Sequence, residues 1–222
     1  TSLAIYESCI DNFQNVIYRN GAADFEVKPS EMDEVDYSQF TALITAGTVF
    51  AGQPSRDATF RAFENARAQG IPVIFDIDYR PYSWPSPQVA SEVLSRAGEE
   101  SDMIVGNDEE FGFMAGDIDK GLEKARDLAS AANRLVIYKM GEEGAITLYN
   151  DEEIKTGIFP TDAIKPVGAG DSFMAGLLSS LASGYNLKNS VIRGSACASI
   201  VVSLPGCAPA MPDEDQLNNF IN

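Results

Sequence analysis

The chain has 222 residues, 45% of them hydrophobic and 22% charged, which is enough for one α/β domain with a sizeable core. Its net charge is −17, from 33 acidic against 16 basic residues, and no Lys/Arg block interrupts that excess, so a nucleic-acid-binding surface is not expected. Histidine is absent, which excludes Ser-His-Asp and Cys-His hydrolysis, HExxH metalloproteolysis and the HRD loop of protein kinases.

In chain order, the first runs are LAIYES (3–8) and QNVIYRN (14–20), joined through CIDNF as an extended pair. PSEMDEVDYSQF (29–40) opens with Ser30 as N-cap and acids in its first turn, which predicts a short helix. TALITAG (41–47) is a continuous apolar run ending at Gly47, as a buried parallel strand would be. Residues 54–70 read as a helix, with Phe60, Phe63, Ala66 and Arg67 at helical spacing and Gly70 as the stop. IPVIFDID (71–78) and DMIVGN (102–107) are further buried strands, the second followed by helices over 108–115 and 118–132. RLVIYKMG (134–141) and GAITLYN (144–150) are strands around a tight Gly-Glu-Glu-Gly turn, and EEIKTGIFP (152–160) is another. Helices over 169–183, 187–204 and 213–221 close the chain.

Strand–helix alternation implies a largely parallel sheet covered on both faces, read here as one domain over residues 1–222. Ligands of such sheets gather at the carboxyl ends of the strands. Three cysteines, Cys9, Cys197 and Cys207, give neither a paired framework nor a zinc spacing, and reduced thiols in a cytoplasmic protein are expected. No apolar run reaches the length of a membrane span and no basic-then-apolar leader opens the chain, which points away from membrane or secretion.

The chemistry concentrates in KPVGAGDSFMAG (165–176). Small residues precede a helix with Phe173, Leu177, Leu178 and Leu181 on its apolar face, so free first-turn amides and the helix dipole would face the loop and attract an anion. An acid, Asp171, sits in that first turn. A first-turn acid also simply stabilises a helix, and the motif alone leaves both readings open. Phosphoryl transfer to an alcohol would use both features, with amides on the migrating group and a carboxylate on the departing proton. Without histidine the base must be Asp, Glu, Lys, Tyr or Cys. Walker A, the dinucleotide fingerprint and GxSxG are all absent.

VGAGDSFMAGLL (167–178) resembles the C-terminal signature of the ribokinase-like (PfkB) carbohydrate kinases. The resemblance implies a three-layer α/β/α fold with a mostly parallel, doubly wound sheet. It also implies that Asp171 is the catalytic base and that the amides of Gly168, Ala169 and Gly170 form an anion hole. GNDEEF (106–111) resembles the family's Asn-x-x-Glu motif, which places Asn107 and Glu110 near a Mg²⁺ ion, through water, and the phosphates. The same pair makes a good helix capping box. KMGEEGA (139–145) resembles the turn beside the nucleotide, implicating Lys139, Gly141 and Gly144 in ATP binding, and SLPGCAP (203–209) falls where the family closes over adenine, adding Ser203, Pro205 and Gly206.

Two segments narrow the acceptor. FDIDYRPYSW (75–84) and VIYRNGAAD (16–24) resemble segments of sugar-acid kinases of this family, implying that Tyr18, Arg19, Arg80 and Asp171 contact the substrate. A guanidinium fork suits a carboxylated sugar, although a surface ion pair would account equally well for either arginine. The expected partners are ATP and a small sugar acid, 5-dehydro-2-deoxygluconate before 2-keto-3-deoxygluconate or fructose, with no nucleic acid or membrane and with a homodimer as the assembly. Complete members of the family are longer, their additional residues falling before Thr1. A fragment that binds nucleotide without catalysis is therefore the alternative from another class.

Overall fold

The structure is a computed structural model that describes residues 2–7, 14–132 and 134–222; the CIDNF connection, with Cys9, lies outside the described residues. Two compact units emerge. The first is built mainly from Arg19–Gly141 and Ala145–Ile154, the second from Lys155–Asn222 with Leu3–Tyr18 and Glu142–Gly144.

Strands β1 (Leu3–Tyr6) and β2 (Asn15–Tyr18) pair antiparallel in the second unit, Leu3 opposite Tyr18 and Tyr6 opposite Asn15. In the first unit, α1 (Pro29–Met32) is a single turn, and its N-cap is Lys28 rather than the expected Ser30. The reason lies in Pro29: its fixed φ and missing N–H suit the first helical position, so the chain enters the helix one residue before the serine. The Lys28 N–H donates to Glu31 Oε2 at 2.7 Å.

A six-stranded sheet follows, with β3 (Leu43–Ala46), β4 (Val73–Asp76), β5 (Met103–Asn107), β6 (Leu135–Lys139), β7 (Ala145–Tyr149) and β8 (Glu152–Thr156) lying side by side in chain order. β3 to β6 are parallel, and β7 runs antiparallel to β6 with Ala145 opposite Lys139. Between β7 and β8, Asn150 and Asp151 both take left-handed φ values of 51° and 60°, as a two-residue hairpin turn requires. β3 is an edge strand, and Ile44 is 55% exposed, so TALITAG is less buried than its apolar run predicts.

The crossovers are α2 (Ser55–Ala68), α3 (Pro87–Glu99) and the pair α4 (Asp108–Ala115) and α5 (Gly121–Ala132). α4 stops at Gly116, whose φ of 70° supplies the left-handed cap. Phe50, Phe63 and Phe75 are fully buried, with ring centroids 5.8–5.9 Å from the Phe50 ring in edge-on contact. Burial of one such side chain contributes about 1.5–3 kcal/mol, so this cluster anchors α2 to the sheet.

In the second unit, α6 (Ala169–Ala182) packs closely on α7 (Leu187–Ser203), and α8 (Glu214–Ile221) follows. A Cβ built on Gly194 would lie 2.8 Å from the Phe173 carbonyl oxygen, so the two backbones approach within the space a side chain would need. Arg193 is 7% exposed and fully engaged: Nε donates to Ser180 Oγ at 2.9 Å, Nη1 to Asn218 Oδ1 at 2.8 Å and Nη2 to Glu214 Oε1 at 2.6 Å. It ties all three helices together through paired, hydrogen-bonded charge. Among the described residues, no helix is long and apolar enough to cross a membrane.

Candidate active site

The GAGD segment forms the helix start the sequence predicts. The Ala169 N–H donates to the Pro166 carbonyl at 3.3 Å, closing a β-turn over 166–169. Gly168 sits at its third position with φ 88° and ψ −3°, the values of a type II turn, where a residue without Cβ is preferred. Gly168 is also the N-cap of α6 and has no side chain with which to cap it. The amides of Gly168, Gly170 and Asp171 therefore have no backbone partner among the described residues, whereas that of Ala169 is committed to the turn. Of the three amides expected to form an anion hole, those of Gly168 and Gly170 are thus without a backbone partner among the described residues, and that of Ala169 is not.

The Asp171 side chain is exposed, and its carboxylate has no hydrogen-bond or ion-pair partner among the described residues. An acid used only for helix stability would gain the same dipole interaction here. What the geometry adds is an open proton acceptor one residue from unpaired N–H donors.

The loop after α7 borders this turn: a Cβ on Gly168 would lie 3.1 Å from Val201 Cγ1 and 3.3 Å from Cys207 Cβ. Of the residues expected at adenine, Ser203 spends its hydroxyl on the Ile200 carbonyl at 2.8 Å. Pro205 is exposed, and Gly206 takes a φ of 78°. Gly144, also in the second unit, has a φ of 89°, and a Cβ there would lie 2.1 Å from the Thr156 carbonyl oxygen.

In the first unit, the other motifs converge at the carboxyl ends of β4, β5 and β6. Asn107 ends β5 directly opposite Lys139 at the end of β6, and Gly141 begins the turn beyond with φ 55°. Asn107 and Glu110 form a capping box: Asn107 Oδ1 accepts from the Glu110 N–H at 2.8 Å, and Glu110 Oε2 accepts from the Asn107 N–H at 2.7 Å. Capping occupies one carboxylate oxygen of Glu110 and so does not exclude a second role. Burial pushes the Glu110 carboxyl above the ordinary carboxylate range, against the pull of the Lys139 charge and the Asn107 N–H bond; Asp78 adds to the rise and Arg80 opposes it. Glu110, Lys139, Asp78 and Arg80 are thus electrostatic neighbours.

Both arginines expected at the substrate have partners. Arg80 pairs with Asp78 at 2.6 Å, and Arg19 pairs with Asp24 and lies 4.1 Å from the centre of the Phe25 ring. Burial pushes the Tyr82 hydroxyl above its ordinary value, and the charges of Arg80, Asp78 and Arg19 all act on it, the arginines lowering it and the aspartate raising it. Tyr82 lies inside FDIDYRPYSW but was not among the expected site residues, because its electrostatic link to Arg19, distant in the chain, leaves no mark in the sequence. Tyr18, in the second unit, is 56% exposed.

Among the described residues, no group of three or more His, Cys, Asp or Glu side chains could grip a metal ion directly. The side-chain oxygens of Asn107 and Glu110 are hard donors of the kind that a divalent cation takes directly or through water.

A mostly parallel sheet with polar residues at its strand ends, followed by a glycine turn and a helix, is the arrangement of the ribokinase-like three-layer α/β/α fold. Residues 3–214 match the pfkB family carbohydrate kinase, and the chain belongs to that family. It is 37% identical over 93% of its length to a 5-dehydro-2-deoxygluconokinase from Geobacillus thermodenitrificans and 39% identical over its whole length to one from Photobacterium profundum. It spans 62% and 68% of those two proteins. Among solved structures, a fructokinase from Vibrio cholerae in fructose-, ADP- and calcium-bound form superposes with a TM-score of 0.74 at 25% identity, covering 85% of this chain and 65% of that one.

Proposed function

We propose that the protein is an ATP-dependent sugar-acid kinase that phosphorylates a primary hydroxyl, with 5-dehydro-2-deoxygluconate as the preferred acceptor. The observation that carries this reading is the exposed, unpartnered Asp171 carboxylate beside the unpaired amides at the start of α6. Asp171 takes the hydroxyl proton as the acceptor oxygen bonds to the γ-phosphorus and the bond to the ADP oxygen breaks. The amides of Gly168, Gly170 and Asp171 hold the oxygens of the transferring group. Lys139, Gly141 and Gly144, with Ser203, Pro205 and Gly206, are assigned to the nucleotide. Asn107 and Glu110 would hold a Mg²⁺ ion through water, and the ion would supply positive charge to neutralise the phosphates.

Arg19 and Arg80, with Tyr82 between them in charge, are assigned to the acid group of the sugar. Their present partners, Asp24 and Asp78, hold the guanidinium planes in place, and a substrate carboxylate would have to share or displace them. The names of the two relatives favour this acceptor, and the fructose in the Vibrio cholerae structure keeps an uncharged sugar as the second reading.

The test is Asp171→Asn in the protein supplied with ATP, Mg²⁺ and a panel of sugars and sugar acids. Turnover is expected to fall by about 10²–10⁴ with ATP affinity retained; unchanged turnover would remove Asp171 from the mechanism. Calorimetry with ATP·Mg and the sugar acid separately distinguishes a kinase from a module that binds nucleotide alone.

A further inference from the structure

Lys165, at the head of the signature, is 1% exposed, the most deeply buried charged side chain among the described residues. Among the described residues it has no carboxylate partner. Its ammonium donates to two main-chain oxygens, Val167 O at 2.9 Å and Val201 O at 2.7 Å. Its own N–H donates to Val202 O at 3.3 Å, and that of Ile164 to the same oxygen at 2.9 Å. A cation buried without a counter-charge is costly, and only its hydrogen bonds to the two peptide oxygens offset that cost.

Val167 O belongs to the peptide that links Val167 to Gly168. That peptide is the middle one of the 166–169 turn, and its rotation is what separates a type II turn from a type I turn. A trans peptide is planar, with C=O and N–H pointing in opposite directions. An ammonium that holds the carbonyl inward therefore turns the Gly168 N–H outward, and it polarises the same group so that the N–H is a better donor.

We propose that Lys165 is a positioning residue: its buried ammonium locks the Val167–Gly168 peptide so that the Gly168 N–H faces the anion bound at the start of α6. This rests on the reading of that turn as a phosphoryl cradle. Lys165 also joins the turn to the last turn of α7 through Val201, so the cradle and the loop expected at the adenine move as one piece.

The test uses the full chain with inorganic phosphate as probe, followed through the amide ¹H–¹⁵N signals of Gly168 and Gly170. In the parent chain both signals shift on titration. In Lys165→Met the Gly168 response is lost and phosphate affinity falls by about tenfold or more, while the dispersed spectrum of α7 and α8 persists. Lys165→Gly leaves a space lined by carbonyl oxygens, and ammonium chloride restores the Gly168 response where tetramethylammonium, too large and without N–H donors, does not.

An unaltered Gly168 response and affinity in Lys165→Met overturns the proposal while leaving the cradle intact. A parent chain whose Gly168 and Gly170 signals ignore phosphate removes the cradle and the proposal together. Failure of both variants to fold, with or without ammonium, overturns it as well, because Lys165 would then be a core strut rather than a positioning group.

Discussion

Among single residues, Glu110 and Arg80 separate structural from chemical roles most clearly. Burial raises the Glu110 carboxyl above its ordinary value of 4.5. A raised acid favours the folded state while protonated, so its stabilising contribution is complete below the unfolded value and is lost as pH rises through the folded one. Glu110→Gln keeps an oxygen to accept the Asn107 N–H and removes the charge. Its stability relative to the parent chain should therefore improve as pH climbs above about 4.5, as read by denaturant midpoints across pH; a difference independent of pH would mean that Glu110 titrates as it does in the unfolded chain. Arg80→Ala should raise KM for the acid by about tenfold or more and leave KM for ATP nearly unchanged. Equal changes in both would reduce Arg80 to the Asp78 ion pair seen here. The place of Asp171 in the first turn of α6 and the Asn107–Glu110 capping pair were legible in the sequence because helix starts demand particular residue types at fixed spacing. Lys165 was not: one lysine among 16 basic residues carries no mark of burial, which only the packing of α7 against the turn creates.

At the level of elements, most strands and helices could be read from apolar periodicity, and α4 runs over the expected 108–115. α3 was not among the expected elements, though its signals are present. Ser86 caps it by accepting from the Val89 N–H at 3.2 Å, Pro87 takes the first position, and Ala90, Leu94 and Ala97 form the buried face. The aromatic-rich YRPYSWPSP segment before it masks the change of period from strand to helix. The α6–α7 contact was likewise beyond sequence reasoning, because a glycine in a helix reads as a weakness rather than a contact. Gly194→Ala would gain about 1 kcal/mol of helix propensity, yet its Cβ would meet the Phe173 carbonyl at 2.8 Å, a backbone atom that no rotamer change can move aside. Overpacking of this kind costs about 1–3 kcal/mol, so the net effect should be destabilising, read as a lower denaturation midpoint with an unchanged m-value. A midpoint at or above that of the parent chain would show that the helices can part without penalty.

Across the whole molecule, the alternation of strands and helices predicted the α/β class, but not the grouping of residues into two units, since contact density is a property of the folded chain. Nor could it show that β3 would lie at a sheet edge with Ile44 exposed. The strand order has a consequence for how the protein is made. Within the six-stranded sheet, every strand from β4 to β8 lies beside the one that precedes it in the chain, so none must wait for a partner synthesised much later. The sheet can then grow by accretion during translation, each new strand laid against a surface already in place. Nascent chains stalled well past Lys139 should already protect β3 to β6 from protease, and protection that arises only on release of the finished chain would show that assembly is concerted instead.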